Sequence, residues 1–182
     1  MRRVIILLNN GFEEIEALAP LDVLRRLNYE VLLVSMIDTL EVISSHGVSI
    51  KADVLFNDSL LDSEGVIIPG GLPGATNLRD DKRVLTLVKN FDLEKKLIAS
   101  ICAGPIVLGK ANVLENKTAT CYPGFEKELN AKEVVKEKVI VSENIITSRG
   151  PATAFDFAFE IAKYLGLDIS KLLDGMLFKE EY

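Results

Sequence analysis

Tryptophan is absent from this chain, histidine occurs once, at His46, and cysteine twice, at Cys102 and Cys121. A single imidazole excludes a metal centre built from several histidines, and no metal is expected. A cysteine–histidine hydrolase would have only His46 as its base. Two cysteines in 182 residues are too few for a disulfide framework and point to a reducing compartment, the cytoplasm. Positive charge is in deficit: 21 Lys+Arg stand against 27 Asp+Glu, a net charge of -6. The cation pairs Arg2-Arg3, Arg25-Arg26 and Lys95-Lys96 are scattered, so nucleic acid is not expected as a main partner. No apolar run reaches the ~20 residues that a membrane-spanning helix needs, so no membrane association is expected. The run over residues 4–8 follows Met1-Arg2-Arg3 but stops at Asn9-Asn10-Gly11 without a small-residue cleavage site. It reads as a strand and not as a secretory signal. Internal repeats, low-complexity tracts and linkers are missing too, and one domain over residues 1–182 is expected.

What the chain does contain is an alternation of short apolar runs with helical patterns. Strands are expected at residues 4–8, 31–34, 65–68, 97–101 and 145–147. Helices are expected at 14–27, 84–91, 105–111, 151–165 and 169–173, with Pro20 kinking or dividing the first. Residues 41–43 and 48–50 flank Ser44-Ser45-His46-Gly47 and read as a hairpin. A second small hairpin is expected from residues 134–135 and 139–141 around Lys136-Glu137. Strands with little polar alternation, interleaved with helices, imply an α/β three-layer sandwich with a mostly parallel central sheet. Ligands bind such sheets outside the carboxyl ends of the strands. Four segments follow strands and should share that edge: residues 9–16, 69–74, 102–105 and 148–151.

The third of these segments carries a recognisable chemistry. The run Leu97-Ile98-Ala99-Ser100-Ile101 ends on Cys102, and Ala103-Gly104-Pro105 lead into a helical pattern. Strand, sharp turn and helix are the layout of a nucleophile elbow, in which small neighbours relieve a tight bend. The helix start is expected to favour the thiolate. In Pro69-Gly70-Gly71-Leu72-Pro73-Gly74 the glycines allow close approach of backbone N–H groups to a ligand. An anion pocket is the functional reading, Gly71 N–H pairing with Ala103 N–H, and an ordinary tight turn is the bland one. No Gly-Lys-Ser/Thr ends the segment, which disfavours a phosphate loop.

Glu13, Glu14 and Glu16 fall in the first turn of the first helix. Acidic residues there stabilise a helix by ~0.3–1 kcal/mol each, and that reading suffices for one or two of them. Glu16 lies one turn from Glu13 on the same face, so both could point over the sheet edge toward Cys102. A carboxylate and a thiolate ~4 Å apart repel by roughly 4 kcal/mol at an effective dielectric near 20. A helix dipole offers at most ~2 kcal/mol in return. Two adjacent anions are therefore disfavoured, and a thiolate beside a protonated Glu16 is the expected form of a pair that titrates as a unit. His46, in a predicted hairpin turn remote in sequence from the sheet edge, reads as a solvated turn residue or a subunit contact. Cys121 reads as a packed thiol. Arg149 could clamp a substrate carboxylate or carbonyl, neutralise the glutamates, or form a structural salt bridge at a helix start.

Together, Gly11-Phe12-Glu13-Glu14-Ile15-Glu16, Ile67-Ile68-Pro69-Gly70-Gly71, Ala99-Ser100-Ile101-Cys102-Ala103-Gly104-Pro105 and Thr147-Ser148-Arg149-Gly150-Pro151 resemble the ThiJ/PfpI family of the class I glutamine amidotransferase-like superfamily. That family includes the parkinsonism-associated deglycase. The resemblance covers nearly the whole chain. It implies a flavodoxin-like sandwich, a symmetric homodimer, Cys102 as the reactive residue and Glu16 as its partner. It places Gly71 and Ala103, with Gly70 beside them, at an anion-stabilising backbone pocket. Glu13, Tyr122, Ser148 and Arg149 then line the site. Two positions depart from the family's patterns. Ala103 stands where the intracellular-peptidase branch has a histidine after the cysteine, and Tyr122 where the deglycase branch often has one.

The function that follows is a glyoxalase or deglycase without a cofactor, acting on small 2-oxoaldehydes or their early adducts with amines and thiols. The same cysteine would also serve an oxidative-stress sensor or chaperone. A cysteine peptidase or amidase would need His46. Thiazole monophosphate biosynthesis, an older label within the family, finds no thiazole-phosphate site among these residues.

Overall fold

The computed structural model describes residues 2–178; Met1 and residues 179–182 of the expected domain lie outside the described residues. The chain begins with β1 (Arg3–Leu8), α1 (Glu14–Arg26) and β2 (Glu30–Ser35). A hairpin, β3 (Glu41–Ile43) and β4 (Ser49–Lys51), precedes β5 (Val54–Leu55), a 3-10 turn at Asp58–Asp62 and β6 (Gly65–Ile68). Helices α2 (Gly74–Asp80) and α3 (Lys82–Leu93) lead to β7 (Leu97–Ile101) and α4 (Pro105–Lys110). Beyond them come β8 (Thr118–Ala119), a 3-10 turn at Glu126–Glu128, β9 (Glu133–Val134), β10 (Val139–Ser142) and β11 (Ile145–Ser148). A 3-10 turn at Pro151–Thr153, α5 (Ala154–Tyr164) and α6 (Ser170–Gly175) complete the described chain.

The central seven-stranded sheet has the order β10-β11-β7-β6-β1-β2-β5. All neighbours in it are parallel except β10 and β11. Its inner strands β1, β6 and β7 are buried along their whole length, as apolar runs without alternation require. Helices α1 and α5 pack together on one face and α2, α3 and α4 on the other, giving the three layers of a flavodoxin-like sandwich. Because β1, β6, β7 and β11 run in the same direction, the segments at residues 9–16, 69–74, 102–105 and 148–151 all emerge at one edge.

Three local expectations are corrected. Pro20 does not divide α1, which runs unbroken from Glu14 to Arg26. Burial of Ala17, Ala19, Leu21, Val23 and Leu24 offsets the ~3 kcal/mol that an internal proline costs a helix. The second hairpin is not built around Lys136-Glu137. Instead β9 pairs in parallel with β8, while β10 folds back on β11 through Glu143-Asn144, with Glu143 in the left-handed region (φ 56°). The helix expected from Pro151 begins as a 3-10 turn and becomes α-helical only at Ala154. Helix α2 was not foreseen: its residues Gly74-Ala75-Thr76-Asn77 are poor helix formers, and tertiary burial of Ala75 and Leu78 carries it.

Candidate active site

Strand β7 delivers Cys102 to the sheet edge in a left-handed conformation (φ 64°), which a non-glycine residue adopts at a cost of about 1–3 kcal/mol. Two backbone hydrogen bonds brace it. Cys102 N–H donates to Ser148 O (3.0 Å), and Cys102 O accepts from Tyr122 N–H (2.9 Å). The residue is largely buried, with 9 % of its surface exposed.

Glu16, in the first turn of α1, is completely buried. Its Oε2 accepts the Gly70 N–H (2.8 Å), while Oε1 is buried without a hydrogen-bond partner of regular geometry. Glu13 caps α1 by accepting the Glu16 N–H (3.0 Å), and its own N–H donates to Gly70 O (2.9 Å). Gly70 thus locks the loop after β6 to the start of α1 through both of its backbone groups. A Cβ there would lie 2.7 Å from both Cys102 Cβ and Glu16 Oε2, so the absence of a side chain lets acid and cysteine meet. Gly71 has φ +84° and would place a Cβ 2.4 Å from Glu13 N, a position that only glycine fills without displacement.

The electrostatics follow from this crowding. Burial pushes the Glu16 carboxyl up to about 7, helped by the Glu13 charge and opposed by the Gly70 N–H and by Cys102. Burial also raises the Cys102 thiol, and the Glu16 charge raises it further; the N–H groups of Ala103 and Gly71 oppose both. The expectations that the helix start favours the thiolate and that a protonated Glu16 accompanies it are both corrected: the carboxyl ionises first and the sulfur keeps its proton. Helix α4 has only six residues, and desolvation outweighs what its end supplies. The first proton leaves the pair near neutral pH. The second stays on the sulfur well above neutral pH, because burial and the Glu16 charge both disfavour the thiolate.

The expected residues divide into groups. Cys102, Glu16, Gly71 and Ala103 converge, with the last two N–H groups acting on the sulfur. Gly70 is adjacent, but its N–H is committed to Glu16 and is not available to an anion. Glu13 orients Glu16 through its N–H and does not face the sulfur as a second acid. Ser148 contributes its carbonyl, not its side chain: Oγ donates to Lys138 O (2.7 Å) and pairs with Thr153 Oγ1 (2.6 Å). Tyr122 is exposed, its ring lying over Gly150. Arg149 is partly buried and forms no ion pair among the described residues; its charge acts on Cys121 and Glu126, not on the glutamates of α1. Cys121 is buried, and both cysteines are free.

His46, expected in a solvated hairpin turn, is exposed in the turn between β3 and β4, and that turn lies against the start of α1. Phe12 pairs with Ser44, and Ser45 N–H donates to Phe12 O (2.8 Å), so the β3–β4 hairpin sits against the start of α1. Its imidazole Nδ1 then lies 3.1 Å from Glu14 Oε2. Sequence separation hid this contact, because a single parallel bridge between two loops leaves no periodic signal.

A flavodoxin-like sandwich with a left-handed cysteine after its central strand and a buried carboxyl beside it defines the class of α/β proteins built on a cysteine elbow. Within that class, the chain belongs to the DJ-1/PfpI family, whose model matches residues 2–164. It is 35% identical over 169 residues to the Parkinson disease protein 7 homolog of Danio rerio, covering 90% of this chain and 89% of that one. It is 36% identical to the DJ-1 homologs B and A of Arabidopsis thaliana, but spans only 38% and 43% of their lengths. Among solved structures it is similar to oxidized Toxoplasma gondii DJ-1, with a TM-score of 0.91, 34% identity, and coverage of 99% of this chain and 100% of that one. It is similar to Drosophila melanogaster DJ-1beta as well, with a TM-score of 0.91, 32% identity and 97% of each chain covered.

Proposed function

We propose that the chain is a cysteine-dependent glyoxalase or deglycase that works on small 2-oxoaldehydes, or on their early adducts with amines and thiols, without a cofactor. The observation that carries this reading is a wholly buried glutamate beside the elbow cysteine, while the sole imidazole is paired with Glu14. Sulfur adds to the aldehyde carbon as its proton passes to Glu16, and Glu16 hands that proton to the new alkoxide to give a hemithioacetal. The N–H groups of Gly71 and Ala103 face the oxyanion that forms. Glu16 as carboxylate removes the hydrogen from the former aldehyde carbon and returns it to the neighbouring former ketone carbon. As the hydroxyl proton of the hemithioacetal passes to the former ketone oxygen, the product is a thioester of a 2-hydroxy acid. Water cleaves it, so one 2-oxoaldehyde and one water give one 2-hydroxy acid and regenerate the thiol. A carboxyl near 7 is suited to both halves of such a transfer at neutral pH. Methylglyoxal should be converted to lactate, and the Cys102→Ser protein should lose at least roughly a hundredfold in rate. Equal rates in the two proteins would remove the mechanism.

A redox role of the same thiol is favoured by one finding, that a similar solved structure is described as oxidized. Mild peroxide followed by mass spectrometry tests it, since a sensor should oxidise selectively at Cys102 and not at Cys121. We further place the protein in the cytoplasm as a homodimer. Both cysteines are free thiols, and Ile15, Ile43 and Val48 are exposed around the α1–hairpin corner. No described helix is long and apolar enough to cross a membrane. Light scattering at micromolar concentration would reject the dimer by returning the mass of one chain.

A further inference from the structure

We propose that Arg149 is the anion-binding residue of a specificity subsite beside the Cys102 elbow, and that the preferred substrates are 2-oxoaldehydes whose far end carries a carboxylate. The inference rests on the proposed addition of Cys102 to an aldehyde and names the class of molecule that the site selects.

The backbone at Arg149 is fixed from both sides. Before it, Ser148 O accepts the Cys102 N–H (3.0 Å), and Ser148 Oγ donates to Lys138 O (2.7 Å). After it, Gly150 N–H donates to Thr153 Oγ1 (3.2 Å), which also pairs with Ser148 Oγ (2.6 Å). The cationic side chain therefore leaves a segment with little freedom, one residue from the partner of the elbow. Tyr122 N–H donates to Cys102 O (2.9 Å), and the Tyr122 ring lies over Gly150. The two residues that brace Cys102 are thus Tyr122 itself and the neighbour of Arg149.

The guanidinium is left without an acceptor. Arg149 is partly buried, yet it makes no hydrogen bond and no ion pair among the described residues. The simpler reading is a structural salt bridge with Glu126, and the two charges do act on each other. They form no ion pair, however: Glu126 Oε2 accepts the Gly124 N–H (2.9 Å), and Lys136 acts on the same carboxylate. Two cations stand against one exposed carboxylate, a local surplus of positive charge in a chain of net charge -6. A planar fork of N–H donors takes a carboxylate through two parallel hydrogen bonds. The groups that act on the Cys102 sulfur are Glu16, Ala103 and Gly71, and Arg149 is not among them. Arg149 therefore serves a group remote from the reacting aldehyde, and methylglyoxal has no such group to offer.

Rates with 4,5-dioxopentanoate and 2-oxopentanal test the subsite. Both are five-carbon 2-oxoaldehydes, and they differ only in a terminal carboxylate in place of a methyl group. The full chain should favour the carboxylate by at least roughly tenfold in kcat/KM, chiefly through KM. Arg149→Leu should bring that ratio to about one, and Arg149→Lys should restore part of it. An arginine with a merely structural role would lower both rates together and leave the ratio unchanged. A ratio near one in the parent protein, or an undiminished ratio in Arg149→Leu, would overturn the assignment. Turnover of neither aldehyde would count against the proposed reaction alone. Calorimetric titration with 4-oxopentanoate, which keeps the ketone and carboxylate and lacks the aldehyde, then decides the subsite. Binding that is lost in Arg149→Leu upholds it; no binding, or equal binding in the variant, rejects it.

Discussion

Replacing Glu16 by glutamine should stabilise the protein at pH 8 and change its stability far less at pH 5. In the unfolded chain the Glu16 carboxyl ionises near its ordinary value of 4.5, whereas in the native protein burial holds it at about 7. Between those values the native state keeps a proton that the unfolded state has released. Native stability is therefore fully present below the unfolded value and falls as pH rises toward and through about 7. Raising a carboxyl from 4.5 to about 7 corresponds to a loss of roughly 3 kcal/mol once the group is ionised in both states. Glutamine keeps the shape and can still accept the Gly70 N–H, but it never ionises, so it escapes this loss. Its amide nitrogen would occupy the place of Oε1 and adds a contribution of its own, which cancels when two pH values are compared. The expected gain of Glu16→Gln over the parent is about 2–3 kcal/mol larger at pH 8 than at pH 5. Urea unfolding followed by circular dichroism measures it, provided the slopes with denaturant agree. The same stability difference at both pH values would refute the assignment of a buried, displaced carboxyl to Glu16.

Further outcomes follow from the same contacts. Because the Glu16 charge raises the Cys102 thiol, Glu16→Gln should speed alkylation of Cys102 by iodoacetamide at pH 8, by roughly tenfold; a slower reaction would mean that Glu16 assists ionisation instead. Gly70→Ala puts a methyl group 2.7 Å from Cys102 Cβ and Glu16 Oε2, and should cost about 1–3 kcal/mol in denaturant titration together with most of the lactate formation. Gly71→Ala adds a strained φ of +84° to a contact of 2.4 Å with Glu13 N and should be at least as destabilising; an unchanged midpoint for either would show that the loop yields without strain.

The elbow was legible because its chemistry is local. Apolar strand, cysteine and small residues follow one another, and the left-handed φ at Cys102 is what such a turn imposes. The parallel sheet was legible for the same reason, from strands without alternation. The pairing of Glu16 with the site rested on helical spacing, which places a side chain on a face but does not say what lies opposite. Residues whose role depends on direction were less readable. Nothing in Gly70-Gly71 says which of two adjacent N–H groups turns toward the carboxylate and which toward the sulfur. Ser148 was expected in the pocket, yet the antiparallel register of β10 against β11 turns its hydroxyl to Lys138 O. The mispaired hairpin shares this cause. Lys136-Glu137 and Glu143-Asn144 are both polar pairs between apolar runs, and only the pairing of β10 with β11 chooses between them.

The strain at Cys102 explains why such distant segments meet. A left-handed cysteine costs about 1–3 kcal/mol, and a backbone hydrogen bond contributes about 1 kcal/mol net. The bonds to Ser148 O and from Tyr122 N–H are therefore of the right size to hold the turn, but neither does so alone. One comes from β11 and the other from the segment after β8, so the elbow is secured only when both have folded against β7. The acid is secured by a different element. Glu16 depends on Gly70, which depends in turn on the Glu13 N–H at the start of α1. Sulfur and carboxyl are thus held by separate supports that meet at a single residue without a side chain. An imidazole would reach the sulfur from farther away and tolerate some looseness. A short carboxyl beside a thiol does not, which is why neither Gly70, whose Cβ would meet Cys102 and Glu16, nor Gly71, whose Cβ would meet Glu13 N, admits a side chain.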